Sequence, residues 1–299
     1  MTRLAIFAHY DKNNEIEDYV IEYLKGLKEV ANDIIFVSDS NISQEELDKI
    51  SNLTKHIISG RHGEYDFGSY KRGFLWAYEN EILKDYKELI FANDSCYAPL
   101  YPFQIMFDKM EDTPADFWGA TLNDNKKLKT DEIRNHVQSF FLVFKPQVFN
   151  NSCFKAFIEK ICAQKTKEDV INKYEIGLSI YLQEHGYECD AYSKISKIIK
   201  DSQVGRYKEM VIREKLPLLK RNVVLKKEIK SVYPTKIKQL ISKTQYNYDI
   251  IKKDCDKNEI KVSNLKDYLR IFKQFKRKII RVSIKNGYVT LFNKVNISW

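Results

Sequence analysis

Polar residues follow four short apolar runs, at the point where each predicted strand ends. The clearest case is Asn93-Asp94-Ser95, which comes directly after the run ELIFA at 88–92. The corresponding segments after the three earlier runs are His9-Tyr10-Asp11, Ser38-Asp39-Ser40 and Asp66-Phe67-Gly68-Ser69. Because ligands of parallel sheets bind beyond the carboxyl ends of the strands, we expect these side chains to meet at one edge of a sheet.

Asp94 has two possible roles at such an edge. When a nucleotide sugar is cleaved, negative charge builds up on its diphosphate, and a divalent cation held by one or two carboxylates stabilises that charge. Asp94 is well placed to hold such a cation. An aspartate can equally accept hydrogen bonds from nearby amides in a turn after a strand. The residue alone does not distinguish the two roles.

An acidic residue is also needed on the acceptor side, because a sugar hydroxyl attacks well only while its proton is being removed. The candidates are Glu168, Asp169 and Glu175. Glu168 and Asp169 suit the first turn of a helix, where the dipole favours acids. Glu175 lies two residues before Gly177, where backbone or substrate can approach closely.

Three further residues have both a functional and a structural interpretation. Trp118 ends a predicted strand and either lines a sugar pocket or packs in the core. His136 is either a ligand-binding residue at the edge of the sheet or a hydrogen-bonded histidine of a strand. Cys96 is either a nucleophile or a small buried residue, and the second is favoured because no activating base is near it in sequence.

Strands alternate with helical patterns through the first 200 residues, which predicts an α/β fold with a mainly parallel sheet flanked by helices. The predicted strands are 4–8, 33–40, 56–59, 88–92, 115–121, 139–144 and 187–192. A helical pattern over 169–185 ends at Gly186, a residue type favoured after a helix. Neither Gly-x-Gly-x-x-Gly nor Gly-x-x-x-x-Gly-Lys is present, which disfavours dinucleotide binding and P-loop NTPases.

The composition predicts a folded protein, since 43% of the residues are hydrophobic and 13% are aromatic. The five cysteines are odd in number and lack Cys-x-x-Cys spacing, which argues against a disulfide framework and a structural zinc site and favours the cytoplasm. The N-terminal apolar run is too short for a signal peptide, and no segment approaches the ~20 apolar residues of a membrane span. We therefore expect a soluble or peripheral protein.

The net charge of +9 is unevenly distributed, because the excess of Lys and Arg lies beyond residue 200. We predict two regions, a catalytic domain at 1–205 and a basic, mainly helical region at 206–299. The basic region is either a solvated helical surface or a contact for an anionic partner such as a membrane face. No nucleic-acid-binding motif accompanies the charge, so nucleic acid is not expected as a partner.

Several motifs, in one order along residues 4 to about 225, resemble those of the rhamnan synthesis F family, bacterial glycosyltransferases of polysaccharide assembly. They are F-A-H-Y-D (7–11), G-E-Y-D-F-G-S-Y-K-R-G (63–73), L-I-F-A-N-D-S-C-Y-A-P-L-Y-P-F (89–103), D-F-W-G-A-T (116–121), H-V-Q-S-F-F-L-V-F (136–144), D-V-I-N-K-Y-E-I-G-L-S (169–179) and L-P-L-L-K-R (216–221). The resemblance implies a glycosyltransferase A-like, Rossmann-like fold.

The resemblance also implies roles for the strand-end residues. Asn93-Asp94-Ser95 stands where similar transferases have Asp-x-Asp, so Asp94 is expected to bind Mg²⁺ or Mn²⁺ and the donor diphosphate. The catalytic base is expected to be Glu175, with Asp169 as the other acid. The remaining expected donor contacts are His9, Asp11, Asp66, Ser69, Lys71, Asn93, Ser95, Trp118 and His136. Arg72 is a further candidate for sharing the phosphate charge.

The expected activity is transfer of rhamnose from dTDP-rhamnose to a growing cell-surface polysaccharide of the capsule, O-antigen or rhamnan type. The acceptor would be a glycan or lipid-linked glycan at the cytoplasmic face, with the basic region on anionic lipid. Two alternatives are a transferase that uses another nucleotide sugar and a non-catalytic binding module of the same fold. A nucleotidyltransferase is disfavoured because a glycine-rich, lysine-containing N-terminal loop is missing.

Overall fold

The computed structural model describes residues 1–123, 136–194, 203–225 and 233–258, and it confirms the predicted α/β fold. The strands are β1 (Arg3–His9), β2 (Asp33–Ser38), β3 (His56–Ser59), β4 (Glu88–Asn93), β5 (Cys96–Tyr97), β6 (Phe117–Asn123), β7 (His136–Val137), β8 (Phe141–Phe144), β9 (Cys189–Ser193) and β10 (Leu219–Lys220).

Helices connect and flank these strands. They are α1 (Asp18–Lys28), α2 (Gln44–Asp48), α3 (Tyr65–Glu79), α4 (Phe103–Met110), α5 (Pro146–Phe149), α6 (Ser152–Glu159), α7 (Lys167–Val170), α8 (Gly177–Glu184), α9 (Gln203–Arg213), α10 (Arg221–Leu225), α11 (Tyr233–Ile241) and α12 (Tyr248–Lys257). A π-helical turn, Ile171–Ile176, joins α7 to α8, and a 3-10 turn spans Leu83–Asp85.

The central sheet has the order β3-β2-β1-β4-β8-β6-β7, and β9 pairs with β6. Strands β1 to β4 are parallel to one another, as predicted. Strand β8 instead runs antiparallel to both β4 and β6, which makes the second half of the sheet mixed. The apolar run SFFLVF could not reveal this reversal, because a strand buried on both faces has the same composition in either direction.

Each face of the sheet packs against its own hydrophobic layer, since side chains alternate along each strand. On one face, Ile6 of β1 and Phe91 of β4 pack with Phe67 and Tyr70 of α3. On the other face, Phe7 belongs to a second layer that includes the apolar residues of α1, α4, β10, α11 and α12. The carboxyl ends of β1, β2 and β4 are therefore lined by α3 on one side and by the C-terminal elements on the other.

Helix α3 lies very close to the sheet. A Cβ atom built on Gly73 would come within 2.5 Å of Ile6 Cγ2, so glycine permits the helix to approach the strand. Gly63, in the loop before the helix, has φ of +72°, a conformation that side chains disfavour. These two glycines bring the first turn of α3, which carries Asp66, to the ends of the strands.

The C-terminal elements pack into the same compact unit as the sheet, and this unit runs from Met1 to Asp256. It extends past the boundary predicted at 205, because Leu218, Leu240 and Ile251 are buried in the second hydrophobic layer. Of the second unit, which begins at Lys257, residues 259–299 lie outside the described residues, so the membrane role predicted for this region stays a prediction. Within the described ranges no helix is both long and apolar enough to cross a membrane.

Candidate functional site

Asn93 and Asp66 form the first contact at the carboxyl edge of the sheet. Asn93 ends β4, and its side-chain amide donates a 2.9 Å hydrogen bond to Asp66 Oδ2 of α3. Its Oδ1 accepts hydrogen bonds from Ser95 N at 3.1 Å and from Ser95 Oγ at 2.5 Å. Asn93 therefore joins the strand end to α3 through an amide.

Asp94 is held at the same edge by the end of β1. Its Oδ2 accepts a 2.8 Å hydrogen bond from Tyr10 N, and its own amide donates to Ala8 O at 3.1 Å. Burial raises the pKa of the Asp94 carboxyl to about 6, although the Tyr10 hydrogen bond and the Arg221 charge act in the opposite direction. The turn-forming role expected of an aspartate at this position is thus present in the structure, and it engages one of the two carboxylate oxygens.

Asp66 lies in an acidic environment. Burial raises the pKa of the Asp66 carboxyl, and the nearby Glu175 charge raises it further. Asp66 also contributes to the raised pKa of Asp94. Asp66 therefore lies near two acids predicted from other parts of the sequence, since the Glu175 charge acts on it and its own charge acts on Asp94.

Glu175 is positioned by β7 and by the turn that joins β7 to β8. Its Oε2 accepts hydrogen bonds from Ser139 N at 2.9 Å and from Ser139 Oγ at 2.5 Å, and its Oε1 lies 3.9 Å from His136 Nε2. Glu175 belongs to the π-helical turn between α7 and α8, a local geometry often found at functional sites. The predicted base and the predicted ligand His136 are thus neighbours.

The last residue of β1 contributes a buried ring, and the residues after it form a turn. His9 Nδ1 lies 2.9 Å from Ser38 Oγ, and within the described ranges His9 Nε2 has no hydrogen-bond partner. Burial lowers the pKa of His9 to about 3, with help from the Arg221 charge, so the ring is neutral at physiological pH. Asp11 Oδ1 accepts hydrogen bonds from Asn13 N and Glu15 N, which shapes the loop beside the cluster.

A second group of polar residues lies after β2, where Asp39 is almost fully buried. Asp39 Oδ1 accepts hydrogen bonds from His62 N at 2.6 Å and from Gly63 N at 2.8 Å. The predicted ligand Ser69 has its hydroxyl 3.1 Å from His62 Nε2. Ser69 is therefore linked to this loop through His62.

Three predicted residues are not brought into the cluster. Trp118 is buried in the core with its ring edge-on to Phe107 at 5.4 Å, as in its core-packing interpretation, and a role in lining a sugar pocket stays a prediction. Lys71 Nζ donates to Ile161 O at 2.7 Å, at the end of α6. Asp169 is exposed and forms a capping box with Thr166 at the start of α7.

Sequence reasoning missed the contribution of the C-terminal elements. The guanidinium of Arg221 donates to both carboxylate oxygens of Asp254, at 2.8 and 3.0 Å, and its charge influences Asp94. Lys220 precedes it on β10, which pairs with β5 immediately after Asp94 and Ser95. The only sequence signal was the motif L-P-L-L-K-R at 216–221, which by itself indicates no role for either cation.

The acidic residues fit a metal ion that is shared with substrate rather than one enclosed by protein. Within the described ranges no group of three or more His, Cys, Asp or Glu side chains is arranged to hold a metal ion. Mg²⁺ in phosphate-transfer sites is commonly bound by one or two carboxylates together with substrate phosphates and water. Asp94 supplies one such carboxylate, and burial raises the pKa of that group to about 6.

Comparison with known proteins gives a family match over most of the chain. A model of the family described as rhamnan synthesis protein F matches residues 34–294. An uncharacterized protein of Sinorhizobium fredii is 26% identical over 216 residues, which cover 72% of this chain and 54% of that protein. The virulence protein VirA of Vibrio anguillarum is 27% identical over 139 residues, or 46% of this chain and 42% of that protein. The chain thus spans about half the length of the curated relatives it matches.

Solved structures match more remotely. Core-mannan synthase A from Aspergillus fumigatus, in a form with Mn and GDP, has 15% identity and a TM-score of 0.33 over 52% of this chain and 63% of that one. A cytidylyltransferase from Leptospira borgpetersenii has 11% identity and a TM-score of 0.38 over 82% of this chain and 99% of that one. Likenesses at this level carry no argument about activity.

Proposed function

The chain belongs to the rhamnan synthesis protein F family, and on that premise we propose that it is a glycosyltransferase that uses a nucleotide sugar. The proposed donor is dTDP-rhamnose, and the proposed acceptor is a growing cell-surface polysaccharide, presented as a glycan or a lipid-linked glycan. Family membership supports the class of reaction, whereas the choice of rhamnose rests on the family's description.

One observation carries the proposal at the level of residues. At the carboxyl edge of the sheet Asn93 joins Asp66 of α3 to the loop that carries Asp94, and burial together with neighbouring acidic charges, that of Glu175 among them, raises the pKa values of Asp66 and Asp94. Acidic groups with shifted pKa values are often found together at sites that bind cations or transfer protons. The same edge is where sheets of this type bind ligands.

The proposed reaction assigns a task to each acid. Glu175 accepts the proton of the acceptor hydroxyl while that oxygen forms the bond to the anomeric carbon. The bond from that carbon to the diphosphate breaks, and its electron pair stays on the phosphate oxygen. Asp94, with Asn93 and Ser95 beside it, holds the diphosphate end of the donor. Mg²⁺ or Mn²⁺ bound at Asp94 would neutralise the charge that develops on the diphosphate.

The neighbouring residues are proposed to orient the substrates. Ser139 holds the Glu175 carboxylate through two hydrogen bonds, and His136 lies on its other oxygen. Asp66, Ser69, His9 and Asp11 remain proposed contacts of the nucleotide and its ribose. The region beyond residue 258 is proposed to bind an anionic membrane surface at the cytoplasmic face, near a lipid-linked acceptor.

Donor turnover tests the proposal. The full chain is incubated with dTDP-rhamnose and a panel of other nucleotide sugars, with a lipid-linked or synthetic acceptor, with and without Mn²⁺, and nucleoside diphosphate release is measured. We expect turnover that falls by at least ~100-fold in Asp94→Ala, since a group stabilising the developing charge is lost. Asp85→Ala, which changes an exposed aspartate of the 3-10 turn, is the matched control and should retain normal rates.

The alternatives predict different results. Turnover of a donor other than dTDP-rhamnose would keep the reaction class and change the sugar. Neither transfer nor donor hydrolysis with any nucleotide sugar would favour a non-catalytic binding module of the same fold.

A further inference from the structure

The short strand β10 brings two cationic residues beside the loop that carries Asp94. Lys220 pairs with Cys96 and Leu219 with Tyr97 in the antiparallel ladder between β10 and β5. The next residue, Arg221, donates its backbone amide to Ser95 O at 2.8 Å. The segment is therefore fixed by main-chain hydrogen bonds to the residues that immediately follow Asp94.

Arg221 is itself clamped in place. Its Nε lies 3.0 Å from Asp254 Oδ2 and one terminal nitrogen lies 2.8 Å from Asp254 Oδ1, a two-point contact with an almost fully buried carboxylate. Tyr97 OH donates to the same Oδ2 at 2.6 Å, and the guanidinium lies 4.1 Å from the ring centroid of Tyr19. With its charge balanced by Asp254, Arg221 is a positioning residue for β10.

Lys220 is the cation that this clamp presents. Its ammonium lies 4.5 Å from the centroid of the Phe140 ring, and Phe140 O accepts the amide of Asn93. Within residues 1–123, 136–194, 203–225 and 233–258, Lys220 Nζ makes no hydrogen bond or ion pair. The face of the ring attracts the ammonium charge. A lysine ammonium also has three N–H donors, and the ring does not provide hydrogen-bond acceptors for them.

The other lysine and arginine considered for phosphate binding have partners elsewhere. Lys71 Nζ donates to Ile161 O, and Arg72 donates to Glu64 Oε2 at 2.6 Å and to Gly68 O at 2.9 Å. Lys220 instead lies next to the Asn93-Asp94-Ser95 loop and keeps its donors available. Its charge is felt there, since it opposes the rise in the pKa of the Cys96 thiol that burial causes.

We propose that Lys220 binds the diphosphate of the nucleotide donor, held in position by the Arg221–Asp254 clamp, an inference that rests on the proposed function. A single carboxylate and one divalent cation leave a net charge of +1, whereas the donor diphosphate carries two negative charges and gains another when the sugar leaves. An ammonium at the same edge supplies the missing positive charge, and lysine is a common point-charge ligand of phosphate.

The test is binding of nucleoside diphosphates to the full chain, measured by calorimetry with dTDP, UDP, GDP and CDP in the presence of Mn²⁺. The variants are Lys220→Met, which keeps the aliphatic stem, and Lys220→Arg, which keeps the charge. Lys208→Met, an exposed lysine on α9, is the matched control. Thymidine and the other three nucleosides are measured alongside, since they lack the diphosphate.

We expect Lys220→Met to weaken diphosphate binding by at least ~10-fold, the loss of a hydrogen bond between charged groups, and to leave nucleoside binding unchanged. Lys220→Arg should bind within ~3-fold of the original protein, and Lys208→Met should not differ from it. Circular dichroism of each variant establishes that it is folded.

Two results would overturn the inference, and they are distinguishable. If the original protein binds a nucleoside diphosphate and Lys220→Met binds it equally well, Lys220 is not a ligand and the proposed function stands. If the original protein binds none of the four nucleoside diphosphates, the proposed function fails and the inference fails with it.

Discussion

The two sides of the carboxyl edge are built from different kinds of residue. On the α3 side, Asp66 and Glu175 are acids whose partners are an amide and a serine, Asn93 and Ser139. On the C-terminal side, Asp94 lies beside a segment that carries Lys220 and Arg221. The difference suggests a division of labour, with proton removal on the acidic side and stabilisation of the leaving diphosphate on the cationic side.

The two sides also differ in how they are held. The α3 side is held by hydrogen bonds from uncharged donors, from Asn93 to Asp66 and from the amide and hydroxyl of Ser139 to Glu175. The C-terminal side depends on a buried ion pair, Arg221–Asp254, to which Tyr97 also donates. Substitutions on the C-terminal side should therefore affect folding and donor binding together, whereas those on the α3 side should affect the chemical step with little loss of stability.

The largest effect is expected on breaking the clamp. Asp254→Asn leaves the Arg221 charge buried without its carboxylate, and such changes typically cost about 3–5 kcal/mol of unfolding free energy. Chemical denaturation measures the loss. Asp18→Asn, which removes an exposed ion pair to Lys253 on the same helix α12, is the matched control and should cost below about 1 kcal/mol. Equal losses in the two variants would contradict the structural role assigned to the clamp.

The next largest effect is expected on turnover, and it tests which acid of the α3 side is the catalytic base. Glu175→Gln should reduce the rate of transfer by at least ~100-fold, since an amide cannot accept the hydroxyl proton. Asp169→Asn should retain most of the activity, because that carboxylate caps α7 in a capping box with Thr166. Steady-state kinetics with saturating donor measures both. Normal rates in Glu175→Gln together with an inactive Asp169→Asn would reverse the assignment of the base.

Both sides of this comparison show what sequence alone could and could not reveal. Apolar runs that end in polar residues located β1, β2, β3 and β4 and the edge of the sheet at which Asn93 contacts Asp66. These runs were informative because burial and strand ends leave a local signal in residue type. Gly186, with φ of +85°, likewise confirms the predicted end of the helix before it.

The remaining features depend on contacts between distant parts of the chain. Nothing around Lys220 in sequence indicates that it pairs with Cys96, and nothing around Asp254 indicates that it receives hydrogen bonds from Tyr97 and Arg221. The packing of Trp118 could not be predicted for the same reason, since its contact with Phe107 joins residues from different elements. Basic composition suggested a solvated surface for residues 206–299, whereas Leu218, Leu240 and Ile251 of this region are buried.

A moderate effect is expected from the buried histidine beside the cationic side. The pKa of His9 is about 3 in the folded protein, against 6.5 for an unperturbed histidine, so the unfolded chain binds more protons between these values. Stability therefore falls on acidification through pH 6.5, and the His9 contribution lost between pH 7.5 and pH 5 is about 2 kcal/mol.

His9→Gln should remove that part of the pH dependence, as measured by urea denaturation at the two pH values. His185→Gln, at an exposed histidine that caps α8, is the control and should keep the pH dependence of the original protein. An unchanged slope in His9→Gln would show that the ring is accessible to protons in the folded state.

The smallest expected effect concerns Lys71, which is compared with Lys220 as a candidate ligand of the donor diphosphate. Lys71→Met removes a 2.7 Å hydrogen bond to Ile161 O, a net loss of about 1 kcal/mol of unfolding free energy. Because that ammonium is already bound to a carbonyl at the end of α6, nucleoside diphosphate affinity should change by less than ~3-fold, well below the change expected for Lys220→Met. Calorimetry with the same four nucleoside diphosphates and Mn²⁺ measures the affinity of both variants. A larger loss of nucleoside diphosphate affinity in Lys71→Met than in Lys220→Met would place the phosphate-binding cation on the α3 side. It would then contradict the assignment of diphosphate binding to the C-terminal side.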